Sequence, residues 1–175
     1  MSLSNSKQPA SFANPAMIVN RYLWHRMVEI DPNLAMTYMR NGLSEMPIYP
    51  VTDSSATQAI WDNKPYLLYS MSFSRPTSPF FPIKRGRVHY GLRANASQTF
   101  EWSNAMQHIL DRQDESARDI NEHNRRTVKS PVYFHDTRVF QVEDTTTRDF
   151  VNNPYLISSF VVQVDYHLIE KDATV

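Results

Sequence analysis

The sequence predicts an α+β fold: N-terminal helices, then a four-stranded, mainly antiparallel sheet with one helix crossing a face. Three observations carry this. Phe160 to Leu168 alternates for nine residues, with Phe160, Val162, Val164, Tyr166 and Leu168 on one side and Gln163, Asp165 and His167 on the other. Tyr66–Phe73 and Arg87–Ala94 repeat that period of two. Apolar residues recur at helical spacing near the chain start and again around Trp102 to Leu110, before and between the strand pairs.

At 175 residues, 41% of them hydrophobic, the chain is long enough for one domain with a sizeable core. Eighteen basic and eighteen acidic side chains cancel, so no global field draws it to nucleic acid or a membrane surface. The absence of cysteine excludes disulfide staples, thiolate catalysis and cysteine-ligated metals. No stretch reaches the roughly 18 apolar residues of a membrane span, and the N-terminus lacks a signal-peptide core, so a cytoplasm-like compartment is expected. Near-zero net charge with nine Tyr, nine Phe and three Trp leaves little repulsion to oppose self-contact.

Residues 1–14 are polar and aperiodic and read as a flexible arm; residues 15–175 form the single domain. Asn14-Pro15 is a helix start, Asn as cap and Pro at the first helical position, for a helix to about Ile30 with Ile18, Tyr22, Leu23, Met27 and Val28 inward. Asp31-Pro32 repeats the signal for a second short helix through Met39, stopped by Asn41-Gly42. Residues 43–65 carry Pro47, Pro50 and Pro65 and read as an extended connector, with a turn of helix near Ser55 to Trp61.

Tyr66 to Phe73 is a strand with Leu67, Tyr69, Met71 and Phe73 on one face. Arg87 to Ala94 follows, with Val88, Tyr90 and Leu92 inward and Arg87, His89 and Arg93 outward. Between them lies a long proline-stiffened hairpin loop, residues 74–86. Asn95 to Gln98 starts a helix carrying Trp102, Ala105, Met106, Ile109 and Leu110. Asp114 is placed to cap a more polar helical stretch from Glu115 to about Asn124. Val132 to Val142 is a strand with Phe134, Phe140 and Val142 inward, and a turn through Asp144 to Asn153 leads to the closing strand, on whose docking the core depends. The last strands leave a sheet edge, open to another chain or covered by the N-terminal helices.

Catalytic and cofactor motifs are missing: there is no HExxH, GxSxG, Walker loop or GxGxxG. His89, His135 and His167 fall in strands beside Asp136 and Asp165, which places an acid–base or metal site, or a solvated face, on the polar side of the sheet. The hairpin loop is more informative. It brings Arg75, Lys84, Arg85 and Arg87 together with Phe80 and Phe81 and no acid. This pattern suits a protein anchor, nucleic-acid contact, or two aromatics folded onto their own core. Asp111, Asp114, Glu115, Asp119 and Glu122 form an acidic helix face, either solvated or, in a head-to-tail ring, the partner of the basic loop of the next subunit. Asp114, Glu115 and Asp119 are the acidic interface candidates, and neutralising Asp114 and Glu115 is expected to weaken a ring.

With these elements in place, the chain resembles the tail terminator (tail completion) proteins of tailed bacteriophages, of the contractile-tail type. The resemblance rests on Asn63-Lys64-Pro65-Tyr66-Leu67-Leu68-Tyr69, on the helix run Asp111-Arg112-Gln113-Asp114-Glu115-Ser116-Ala117-Arg118-Asp119-Ile120-Asn121, and on the closing strand Phe160 to Leu168. It implies a structural virion protein, not an enzyme. A hexameric ring would cap the tail tube, end its polymerisation and join the tail to the neck and head. Implied partners are its own copies, the tail tube protein, a neck or connector protein and, in a contractile tail, the sheath protein, with genomic DNA a passing contact in the lumen. No membrane, cofactor or metal is implied. The implied location is the tail–neck junction of the virion, after assembly in the host cytoplasm. Three other readings stand beside it: a different head–tail connector or neck protein, a nucleic-acid-binding domain using Arg75, Lys84, Arg85, Arg87 and Arg93, and a sheet enzyme using His89, His135, Asp165 and His167.

Overall fold

A closing strand buried between two others sets the architecture, and everything else is arranged to cover one side of it. The computed structural model describes residues 14–53, 64–74, 82–142 and 156–169. Helix α1 (Pro15–Ile30) begins as expected, with Asn14 Oδ1 accepting the Ala16 N–H at 3.0 Å and Pro15 at the first position. Ala16, Ile18, Val19, Tyr22, Leu23 and Met27 form its buried stripe.

The second helix, α2 (Asn33–Thr37), is shorter than predicted. Met39 leaves it for a two-residue strand, β1 (Met39–Arg40), paired with β2 (Leu43–Ser44). Asn41 and Gly42 both take positive φ, 53° and 79°, so they make a hairpin turn here instead of a helix stop. The connector also holds more structure than expected. β3 (Ile48–Pro50) lies parallel to the start of β4 (Tyr66–Ser74); Ile48 is buried in the core with Met46 and Tyr49 packed against it, and Pro50 is tolerated on an edge. A 3-10 turn at Val51–Asp53 follows. The helical turn expected near residues 55–61 lies outside the described residues.

Among the described residues the main sheet therefore has five strands, in the order β3-β4-β5-β7-β6, where β5 is Lys84–Ala94, β6 is Val132–Val142 and β7 is Leu156–Leu168. The four long strands are antiparallel neighbours, and β7 sits inside the sheet, paired along both edges. Val88, Tyr90, Leu92, Phe160, Val162, Val164 and Tyr166 face one core, as their alternation predicts.

That core is roofed by α1, α3 (Ala96–Leu110) and α4 (Asp114–Arg126), so the single crossing helix of the sequence reading is a layer of three. Helix α3 opens with a complete capping box: Asn95 Oδ1 takes the Gln98 N–H at 2.9 Å and Gln98 Oε1 takes the Asn95 N–H at 3.3 Å. Trp102, Met106, Ile109 and Leu110 are its buried side. Asp114 does not cap α4; it is the first helical residue, after Gln113 at φ 53°. Ser116 ties the α3–α4 corner instead, donating to Ile109 O at 2.8 Å and accepting the Arg112 N–H at 3.2 Å.

Two inward assignments fail, for identifiable reasons. Phe140 is 49% exposed because the β6–β7 register slips between Phe134 and Asp136; this bulge reverses which side chains face the core, so Thr137 takes the buried place. Phe73 keeps its inward parity but is 63% exposed near the end of β4.

Candidate functional site

No α-helix among the described residues packs on the second face of the sheet, which the 3-10 turn at Val51–Asp53 borders at its β4 side, and the register places its side chains in rows. One row runs Ser74, Arg85, Asp165, Asp136; the next Ser72, Arg87, Gln163, Arg138; then Ser70, His89, Val161, Phe140; then Leu68, Gly91, Ser159. Tyr66 and Arg93 continue beyond. The alternation that buries Val88, Tyr90 and Leu92 necessarily lines up this polar and cationic set on the other side.

Within the face, charges differ in how they are held. Arg85 grips Asp165 with two parallel hydrogen bonds, Nε to Oδ1 at 2.7 Å and a terminal nitrogen to Oδ2 at 2.8 Å. The Asp165 hydrogen bond raises the Arg85 pKa further. Arg138 bonds Asp136 at 2.8 Å. Arg87 and Arg93 form no ion pair among the described residues, and His89 hydrogen-bonds only the Ser72 hydroxyl, at 3.0 Å.

Gly91 opens a groove in this face. A Cβ built on it would meet nothing within 4 Å. The hollow, about 340 Å³, is walled by Val51, Leu68 and Val161 and rimmed by Ser70, His89, Arg93 and Ser159. The sequence marks this place only by an isolated glycine in an otherwise alternating strand.

The three strand histidines are not one site. His135 and His167 meet, Nε2 to Nδ1 at 2.8 Å, with Tyr133 against both rings. Burial and then the neighbouring His167 hold the His135 pKa below the ordinary imidazole value, with Asp165 opposing. His89 pairs with Val161, six positions along β7 from His167, or about 20 Å at strand rise. Among the described residues no three His, Cys, Asp or Glu side chains are grouped to hold a metal.

Of the basic candidates, Lys84, Arg85 and Arg87 stand on β5, inside the strand and not in the loop, because pairing with β7 reaches Lys84. Arg75, Phe80 and Phe81 lie outside the described residues. The acidic candidates sit on α4, in the helix layer, so they lie on the opposite side of the sheet from Arg85 and Arg87, while Lys84 shares the helix-side parity of Val88 and Tyr90. Asp119 accepts from Arg112 at 2.7 Å, Glu115 lies 3.5 Å from the same guanidinium, and Asp114 lies 3.6 Å from Arg118. Such exposed pairs are weak and leave the carboxylates accessible.

The β6 edge is closed, and not by the N-terminal helices. Asn121 pairs with both backbone groups of Phe134. Asn124 donates to Ser130 O at 2.9 Å and Val132 O at 3.0 Å, and Asp111 Oδ1 takes the Val139 N–H at 2.9 Å. Side chains of α4 and its corner thus stand in for a further strand. What the described residues leave open is the face, not this edge.

Compared with protein-family models, curated proteins and solved structures, the chain matches none. No helix among the described residues is long and apolar enough to cross a membrane.

Proposed function

We propose that this chain is a structural assembly protein, a tail-terminator-like ring subunit that caps a phage tail tube, ends its polymerisation and joins it to the neck. The observation that carries the reading is the exposed part of the sheet face, Ser70, Ser72 and Ser74 beside Arg85, Arg87 and His89, with an apolar-walled groove over Gly91 and, at its rim, Arg93, which has no ion pair among the described residues. A surface of this kind is used by covering it, and a second copy of the same chain is the partner always at hand. The resemblance carried by Asn63–Tyr69, Asp111–Asn121 and Phe160–Leu168 supplies the tail in this reading, with the tube, neck and sheath proteins as partners. The action is surface complementarity without turnover.

The test is solution mass by light scattering together with negative-stain images, alone and with tail tubes. A hexamer with a central opening, seated at tube ends, is the expected result. A chain that stays monomeric and leaves tube ends bare sinks the proposal. Arg87 and Arg93 favour one reading of another class, a nucleic-acid-binding face. That reading requires DNA affinity that falls steeply with salt, as released counterions dictate, and that is lost on reversing both arginines.

A further inference from the structure

The helix layer carries a knob that suits the groove on the opposite face. On α3 the buried stripe of Trp102, Met106, Ile109 and Leu110 leaves Phe100, Glu101, Asn104 and His108 pointing to solvent. Phe100 is 70% exposed, and Glu101, beside it, has no ion pair among the described residues, only a 3.5 Å hydrogen bond from Ser97. Side by side on one exposed helix face, an aromatic ring and a carboxylate make a knob with an apolar tip and an acidic flank. On the far side of the sheet, the Gly91 groove offers the complement: apolar walls from Val51, Leu68 and Val161, with His89 at the rim beside Arg93, which has no ion pair among the described residues.

We propose that a second copy of this chain fills the groove, Phe100 seating over Gly91 while Glu101 meets Arg93. This deepens the ring reading and rests on it. Knob and socket lie on opposite layers of one molecule, so the contact is heterologous: each copy offers a socket to one neighbour and a knob to another. Such a contact closes into a ring or runs on as a filament, and never stops at a two-fold dimer. The exposed carboxylates of Asp114 and Glu115 on α4 share the layer of the knob, and Arg87 shares the face of the socket, so further opposite charges are available beside the contact. Phe100 is the anchor, and the charged rim sets register and rejects other partners.

Three variants test this by sedimentation and negative stain. Gly91→Val fills the socket in open space, so the monomer should keep its thermal stability while self-association weakens more than tenfold. Phe100→Ala should weaken it to a similar extent. Glu101→Arg and Arg93→Glu should each disrupt assembly, and the double reversal should recover a substantial part of it, which a merely structural role for either residue would not produce. Rings that survive Gly91→Val and Phe100→Ala unchanged overturn the knob and socket but leave the ring reading intact. A wild-type chain that never associates overturns both. A Gly91→Val monomer that melts early also overturns the proposal, because the groove is then filled by its own chain.

Discussion

Asn121 engages both hydrogen-bonding groups of Phe134: its amide nitrogen donates to the Phe134 carbonyl and its amide oxygen accepts the Phe134 N–H, each at 2.8 Å. A single side chain on α4 thereby does for the outer edge of β6 what another strand would do. Both atoms are buried, so neither can turn to water when the partner is removed.

Asn121→Leu should destabilise the chain by about 1–3 kcal/mol for each group left unpaired. It should also expose a strand edge to other chains. Urea unfolding read against light scattering checks both effects. A variant of unchanged midpoint and unchanged solubility would show that the edge is satisfied in some other way.

Much of the fold could be read from the alternation alone. Val88, Tyr90 and Leu92, and Phe160 to Tyr166, sit where period two puts them, because no irregularity interrupts β5 or β7. The misses share one cause: features set by a partner strand or helix leave little local trace. The bulge at His135 reverses the inward parity of β6 and sends Phe140 out. β3 exists because β4 presents an edge to it, not because Ile48-Tyr49-Pro50 demands a strand. The candidate surface was half legible. Arg85 and Arg87 were found by charge, but the Gly91 groove needs the cross-strand register, which no single strand contains.

The bulge makes an opposed pair of predictions on one strand. Phe134→Ala should cost about 3–5 kcal/mol, since Phe134 is a buried aromatic in the core. Phe140→Ala, six residues away and on the same parity, should change stability by no more than about 0.5 kcal/mol. Equal losses in thermal or chemical denaturation would mean that the register runs through His135 without a slip.

Tyr90, on β5, donates its hydroxyl to Asn20 Oδ1 on α1, a fully buried tie between the sheet and the helix layer. Burial pushes the phenol pKa far up, so the group stays a donor throughout the working range. Asn20→Leu alone strands that hydroxyl and should cost about 1–3 kcal/mol, and Tyr90→Phe alone strands the amide. The two changes together should cost less than the sum, by a coupling on the order of 1 kcal/mol. Strict additivity in the double-mutant cycle would refute the tie.

Stability should fall on acidification, and two histidines fix the direction. Burial, and next the neighbouring His25, hold the His123 pKa below its ordinary value against the opposing pull of Glu29, with Arg21 adding a smaller lowering. His135 is lowered in the same sense by burial and His167. A lowered folded-state pKa means that the unfolded chain takes up protons first as pH drops below about 6.5. Stability is therefore complete above that value and declines through the window beneath it. Asn replacement of both residues should flatten this part of the pH–melting profile, while an unchanged slope would assign the decline to other groups.

The acidic start of α4 offers a last discrimination, between charge that folds the chain and charge that joins copies. The Asp114 and Arg118 side chains are 79% and 71% exposed, and Glu115 is 60% exposed beside Arg112. Pairs so open to solvent contribute about 0–1 kcal/mol each, so Asp114→Ala with Glu115→Ala should barely move the melting temperature. In an assembly that sets the helix layer of one copy against the cationic sheet face of the next, the same carboxylates face Arg87 and Arg93 across a partly dehydrated gap. Removing them should then weaken association at low salt. The difference from wild type should shrink as ionic strength rises, since screening shortens the reach of a charge to about 3 Å at 1 M salt. Association that is equally salt-sensitive in wild type and variant would place these residues outside the contact, and would leave Glu101 and Arg93 to carry its electrostatics alone.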